Sequence, residues 1–338
     1  MIIRSFGNGF EVTDMTQEVN LIPNSWGTIA NLGIFQEEPV AEHVVAFEEI
    51  QYSGAILVDR VRGDRGPKNK GQVRKVHSFA VPHFPFDDYI SPQDLQGKRA
   101  YGQMDEAEQL AAVRMRKMER IRKAHADTLE LARAQLITAG TIYAPNNTVA
   151  LNWNTEFGWS RLSIDALLGT STTEVLAKLE QGIASLQDNA NGQSHTGYVM
   201  LCSPEWFAKL ISHASVKQAY QYYSSTQEPL RQRLGGPLTK NRMFEHGGVT
   251  FVEMRDTAPN GTRHIPAGEA YLVPTGTDVF RTYFSPAQKV GIVNTLGEQV
   301  YMFEYADPKG NGYDIESESN FANALMMPSQ VVKYTSSN

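Results

Sequence analysis

The residues best able to act chemically in this chain are grouped by charge rather than at catalytic spacing. One basic cluster is Arg60, Arg62, Arg65, Lys68, Lys70, Arg74 and Lys75. A second is Arg114, Arg116, Lys117, Arg120, Arg122 and Lys123, six cations in ten positions with Glu119 the one acid among them. A single Glu cannot neutralise that density. The cluster is therefore a solvated face, a partner for acidic segments of another subunit, or a salt-sensitive contact for a polyanion. Acids gather at Asp105, Glu106 and Glu108, while Asp314, Glu316 and Glu318 alternate and so share one face of any strand. Neither group, nor Asp87–Asp88, has the Asp/Asn–Gly pattern of a calcium loop. Solvated acidic patches or interface partners are the favoured readings.

Nucleophiles and metal ligands are sparse. The eight histidines are scattered, and His77 and His83 have no neighbouring carboxylate at ligand spacing. Cys202 is the one cysteine, which excludes a disulfide framework and a Cys-based zinc site. The sequence holds no P-loop, GxGxxG, HExxH or GxSxG motif. Ser203 precedes Pro204 at the start of a helical pattern, where capping accounts for it. No catalytic, metal or cofactor site is expected. Arg62–Gly63–Asp64 and the two Asn-x-Thr sequons at Asn146 and Asn260 are chance matches in a chain with no secretory signal. The net charge of -6 argues against a dedicated nucleic-acid binder. No apolar run approaches the ~18 residues that span a bilayer. A soluble protein made in a reducing compartment is expected, with no membrane partner.

The second basic cluster lies within Met104–Ala139, a stretch without Pro or Gly and rich in strong helix formers. Leu110, Met118, Ile121, His125, Leu129, Ala132 and Leu136 recur near a 3.6-residue period, and Gly140 supplies a stop. The spacing predicts a rod of roughly 50 Å. The first cluster lies on a predicted hairpin, with strands at Ala55–Val61 and Val73–Val81 around the Gly- and Pro-marked tip Arg62–Gly71. That tip has too few apolar residues to pack on its own domain, so a neighbouring molecule is expected to order it.

Residues 1–50 are broken by turn formers and read as an arm. Beyond the rod, a strand pair is expected over Thr141–Leu151, and helices over Thr173–Asp188 and Glu205–Tyr223. Short strands are expected at Tyr198–Cys202, Gly248–Glu253, Glu269–Val273, Asp278–Tyr283, Val300–Tyr305 and Val331–Tyr334. Asp314–Ala324 is left as helical or extended. Strands and helices in this order predict an α+β fold.

Arm, basic hairpin, long helix, inserted α+β unit and strand-rich C-terminus together resemble the Hong Kong 97-type capsid fold of tailed bacteriophages. Four stretches carry a closer likeness to lambda-type members, the phage major capsid protein E family. They are ISPQDLQGKRAYG running into RKMERIRKAHADTLELARAQLITAG, then GTIYAPNN, YVMLCSPEWFAKLISHASVKQAY, and YADPKGNGYDIESESNFANALMMPSQVV. The resemblance implies an N-terminal arm (1–50), an E-loop hairpin (51–84), a P-domain (85–196) with its spine helix (104–139), an A-domain (197–295) and C-terminal P-domain strands (296–338). It implies a head protein that self-assembles as hexamers and pentamers into an icosahedral shell around double-stranded DNA, in the host cytoplasm. Portal, scaffold and decoration proteins are implied partners, and packaged DNA a non-specific one. No long N-terminal coiled coil is present, so scaffolding is expected from a separate protein or a removed segment. A covalent crosslink through Lys68, Lys70 or Lys75 is not expected. The competing readings are a cargo compartment of the same fold and an enzyme with a site near Trp206; a titratable cluster in a cleft would favour the latter.

Overall fold

The computed structural model describes residues 2–5, 11–22, 27–51, 73–95, 110–146, 151–217, 219 and 241–338. Its axis is the helix Leu110–Ala139, 30 residues long, or about 45 Å at 1.5 Å per residue. Residues 104–109, at the expected start, lie outside the described residues. The helix stops at Gly140, whose φ of 72° is left-handed and where a Cβ would meet Asn154 Nδ2 at 2.4 Å. Only glycine fits that exit. The expected apolar face is the buried one. Val113, Met118 and Ile121 pack on Met15, Val19, Ile90 and Met302, while Leu136 and Ile137 enter a larger core with Trp153, Phe280 and Leu325.

The helix lies against an eight-stranded sheet ordered Ile2–Ser5, Glu11–Asp14, Tyr301–Ala306, Tyr313–Leu325, Phe280–Phe284 and Gln36–Pro39. His83–Pro85 and Asp88–Ile90 add to Tyr313–Leu325. This 13-residue central strand resolves the segment left open over 314–324: it is extended, and its C-terminal two-thirds is buried.

A six-stranded sheet runs Met243–His246, Val249–Glu253, Gly197–Cys202, Glu269–Thr275, Val332–Thr335 and Ser163–Asp165. Side-chain alternation gives it two apolar faces. Met200, Phe251 and Leu272 meet the helices Val175–Asp188 and Pro204–Ser212 through Leu179, Trp206 and Phe207. Leu201, Val252 and Val273 face the core shared with the end of the long helix. Ser163–Asp165 and Val332–Thr335, distant in the chain from the other four strands, belong to this sheet. Hydrophobic matching across the chain, rather than sequence adjacency, recruits them.

Three local expectations change. The helix expected over 205–223 is broken at His213, which is extended with ψ 139°, and the chain is helical again over 214–217. The His213 ring nitrogens lie 2.9 Å from the Thr170 carbonyl and 2.8 Å from Ser215 Oγ, so tertiary hydrogen bonds override helix propensity. Of the pair over 141–151, residues 147–150 lie outside the described residues, and among the described ones Thr141 bridges to Asn152. The hairpin is already a ribbon at its root, where Val44–Gln51 pairs antiparallel with Val73–Ala80, from Val44 opposite Ala80 to Gln51 opposite Val73. Ala55–Val61 and Arg62–Gly71 lie outside the described residues. One ribbon face is buried through Val45, His77 and Phe79, with Phe79 edge-on to Trp153 at 5.4 Å. Val44, Ala46, Val76 and Ser78 face solvent.

Candidate assembly surfaces

The six spine cations do not form one face. Arg114 makes a two-pronged pair with Glu304, Nε to Oε2 at 2.6 Å and Nη2 to Oε1 at 2.5 Å. Lys117 reaches Asp88 at 2.7 Å. Arg122 is buried, and its Nη2 donates to Gln299 Oε1 at 2.6 Å; burial lowers its pKa. Arg116, Arg120 and Lys123 are exposed at i, i+4 and i+7, one stripe along the opposite side. The single cluster in the sequence is thus three internal anchors and a three-residue surface stripe.

The acids divide in the same way. Asp314 is exposed. Glu316 pairs with Lys289, and buried Glu318 lies 3.1 Å from His83 Nδ1. Two of the three carboxylates expected across an interface are therefore engaged within the chain. Of the first basic cluster, Arg60, Arg62, Arg65, Lys68 and Lys70 lie outside the described residues, as do Asp105, Glu106 and Glu108. Arg74 is in the ribbon strand. Lys75 is exposed, with Nζ 3.2 Å from the Glu156 carbonyl and 3.7 Å from its Oε1.

Several polar groups that position these surfaces have no local signal in the sequence. His77 Nδ1 lies 2.8 Å from Glu156 Oε1, 79 residues away in the chain, and its ring packs on Phe157. The His77 hydrogen bond, opposed by partial burial and helped by Lys75, lowers the Glu156 pKa. Glu130, buried in the long helix, accepts from the Ile29 and Ala30 backbone N–H groups at 2.5 and 3.2 Å. It thereby holds the short helix Thr28–Asn31. Burial raises its pKa against those bonds and Arg133. Fully buried Glu253 would be raised by burial too, but hydrogen bonds from Arg242 and Arg255 keep it low. His125 sits under the sheet with Nε2 3.0 Å from Ser317 Oγ. Burial, with Arg122 adding repulsion, pushes its pKa down to about 4. Among the described residues no three His, Cys, Asp or Glu side chains gather at metal-binding distance. What these groups do is fix elements against one another.

Comparison with known proteins decides what is being built. Residues 11–336 match the family described as phage major capsid protein E. The chain belongs to that family. It is 46% identical to the major capsid protein of Pseudomonas phage KPP10 over 98% of each chain. It is 26% identical to that of Salmonella phage Felix O1 over 94% of each. Among solved structures it superposes on the putative capsid protein of an Escherichia coli CFT073 prophage, with TM-score 0.59 and 10% identity over 96% of this chain and 99% of that one. The asymmetric unit of the bacteriophage PhiM1 mature capsid gives 0.56 and 13% over 94% and 89%. The expected α+β, Hong Kong 97-type fold is the one found. Ion pairs tie Glu37, Asp88 and Glu304 to the long helix, and the ribbon to Glu156.

Proposed function

We propose that this tailed-phage major capsid protein assembles as hexamers and pentamers into the icosahedral shell that encloses the double-stranded DNA genome. The observation that carries this reading is the end-to-end likeness to capsid proteins, 46% over 98% of both chains in one case. The ribbon supports it, since Val44, Ala46, Val76 and Ser78 on one of its faces are exposed. Small contacts repeated over many copies sum to a stable shell. The function is self-association, not catalysis. Assembly proceeds in the bacterial cytoplasm with a portal, a scaffold and, where the shell needs one, a decoration protein. The E-loop cations Arg60 to Lys75 meet acids of a neighbour, Asp314 and the run Asp105–Glu108 being the candidates. Arg116, Arg120 and Lys123 contact packaged DNA from inside, without sequence preference and with salt sensitivity.

Negative-stain electron microscopy of the concentrated protein, alone and co-expressed with neighbouring genes, tests the reading. Closed shells or regular rings are expected. A monodisperse monomer in every co-expression would overturn it. The charge-reversal pair Lys68→Glu and Lys70→Glu is expected to cripple assembly, and wild-type particle yield would remove the E-loop from the account.

A further inference from the structure

A cleft of about 280 Å³ opens where the long helix meets segments 82–86 and 143–146. The first segment follows the ribbon strand Val73–Ala80, and the second follows the end of the helix. The helix contributes Ala124, His125 and Thr128. Opposite them the lining is aromatic and stiff. Phe84 stacks on Tyr143 at 5.9 Å and on Phe321 at 4.7 Å, so its ring cannot turn to close the space. Phe86 stands edge-on to His125 with ring centroids 6.3 Å apart. Thr128 directs its hydroxyl to the Ala124 carbonyl at 2.8 Å, so that hydrogen is already used.

The polar character of the cleft comes from its histidines. Ser317 has one hydroxyl hydrogen, and it goes to the Phe86 carbonyl. Toward His125 Nε2, 3.0 Å away, the Ser317 oxygen can therefore only accept. Nε2 carries the ring hydrogen, and Nδ1 is left as a bare acceptor. It has no partner among the described residues, on a ring that is 5% exposed and lines the cleft. Burial holds the His125 pKa at about 4, which keeps that lone pair open at neutral pH. His83 follows the same logic. Its Nδ1 faces Asn320 Oδ1 at 2.7 Å and Glu318 Oε2 at 3.1 Å, so Nδ1 bears the hydrogen and Nε2 is the acceptor on the neutral ring. Among the described residues no Lys, Arg, Asp or Glu lines the cleft, which favours an uncharged ligand.

We propose that this cleft is a binding site for a small, uncharged planar aromatic group that donates one N–H or O–H to His125 Nδ1, as an indole or a phenol can. The ring packs between the long helix and the Phe84–Tyr143 stack, and its hydrogen satisfies the buried acceptor. Pockets for larger molecules begin near ~300 Å³, so the space admits a single ring system. The site stands apart from the self-assembly reading, and its occupant lies at the joint between ribbon and helix.

The test titrates the full chain with free indole and follows the His125 ring resonances by NMR. Saturable binding with a Kd of about 1 mM or lower is expected. Benzofuran has the same shape with oxygen in place of the N–H, and should bind at least ~10-fold more weakly. Ala124→Leu fills the cleft and should abolish binding while thermal unfolding stays near wild type. N-acetyl-tryptophanamide separates the sources: affinity matching indole assigns the site to a side chain of another polypeptide, and its rejection assigns it to a free molecule. Equal affinity for indole and benzofuran, binding that survives Ala124→Leu, or no change in the His125 resonances at about 10 mM indole would overturn the proposal.

Discussion

The two sheets are stabilised in opposite ways. The six-stranded sheet buries Trp206, Phe207, Phe244, Phe251 and Tyr334 in one apolar layer, and Tyr334 lies so close to Gly182 that a Cβ there would touch its Oη at 2.0 Å. The eight-stranded sheet buries Glu304, Ser317, Glu318, Ser319, Asn320 and Asn323 along two adjacent strands, and faces Arg122, His125 and Arg133 on the long helix. Among apolar contacts such as Met302, Ile315, Phe280 and Leu325 it holds a polar lattice: Arg133 reaches Glu37 at 2.8 Å and Thr282 at 3.2 Å, and Thr282 donates to Asn323 at 2.8 Å. An apolar layer gives stability in proportion to the area it buries. Buried polar pairs add little net energy but penalise misplacement, and they lie in the sheet that carries the strands of the arm and adjoins the ribbon.

The contrast can be broken in graded steps. Phe207→Ala should cost about 4 kcal/mol by calorimetry, the range for a buried aromatic. Arg114→Met leaves Glu304 buried without its cation and should cost about 3 kcal/mol, yet adding Glu304→Leu should recover most of that loss. Failure of the double variant to recover would mean that the pair contributes net stability rather than placement. Acid should act on the polar sheet through His125 and on the other sheet through Glu253, whose lowered pKa gives stability that is lost as it protonates. The folded pKa of His125, about 4, lies below the unfolded value near 6.5, so the unfolded state binds the extra proton first. Stability is full above pH ~6.5 and declines toward pH 4, by about 3 kcal/mol in all. Denaturant titrations of His125→Leu should show a flattened acid limb. Glu130→Gln loses one of two backbone bonds and should cost ~1–2 kcal/mol, with faster hydrogen exchange confined to residues 27–31. Replacing Arg116, Arg120 and Lys123 by Gln should change stability by less than ~0.5 kcal/mol each while lowering the salt slope of DNA retention.

The apolar sheet was largely legible in the sequence, because alternation and 3.6-residue spacing report burial directly. The long helix was legible for the same reason, from Met118 to Leu136. The polar sheet was legible only in part: strands expected at Asp278–Tyr283 and Val300–Tyr305 are found at Phe280–Phe284 and Tyr301–Ala306, but its central strand was not resolved by local rules. Tyr313–Leu325 carries Asp314, Glu316, Glu318, Asn320 and Asn323, which local rules read as surface; partners elsewhere in the chain bury most of them. The spine cations look alike in sequence, and only the fold separates Arg114, Lys117 and Arg122 from the outward three. His77 and Glu156 could not be paired by spacing, since what joins them is the ribbon's return to the end of the long helix.

The position of Val332–Thr335 sets a timetable for synthesis. This strand lies between Glu269–Thr275 and Ser163–Asp165, so both wait for it. On the ribosome Gly197–Cys202 and its helices emerge early, but their sheet stays open until residue 335 has left the exit tunnel. A nascent chain therefore keeps two raw sheet edges apart until Val332–Thr335 is free to pair with both.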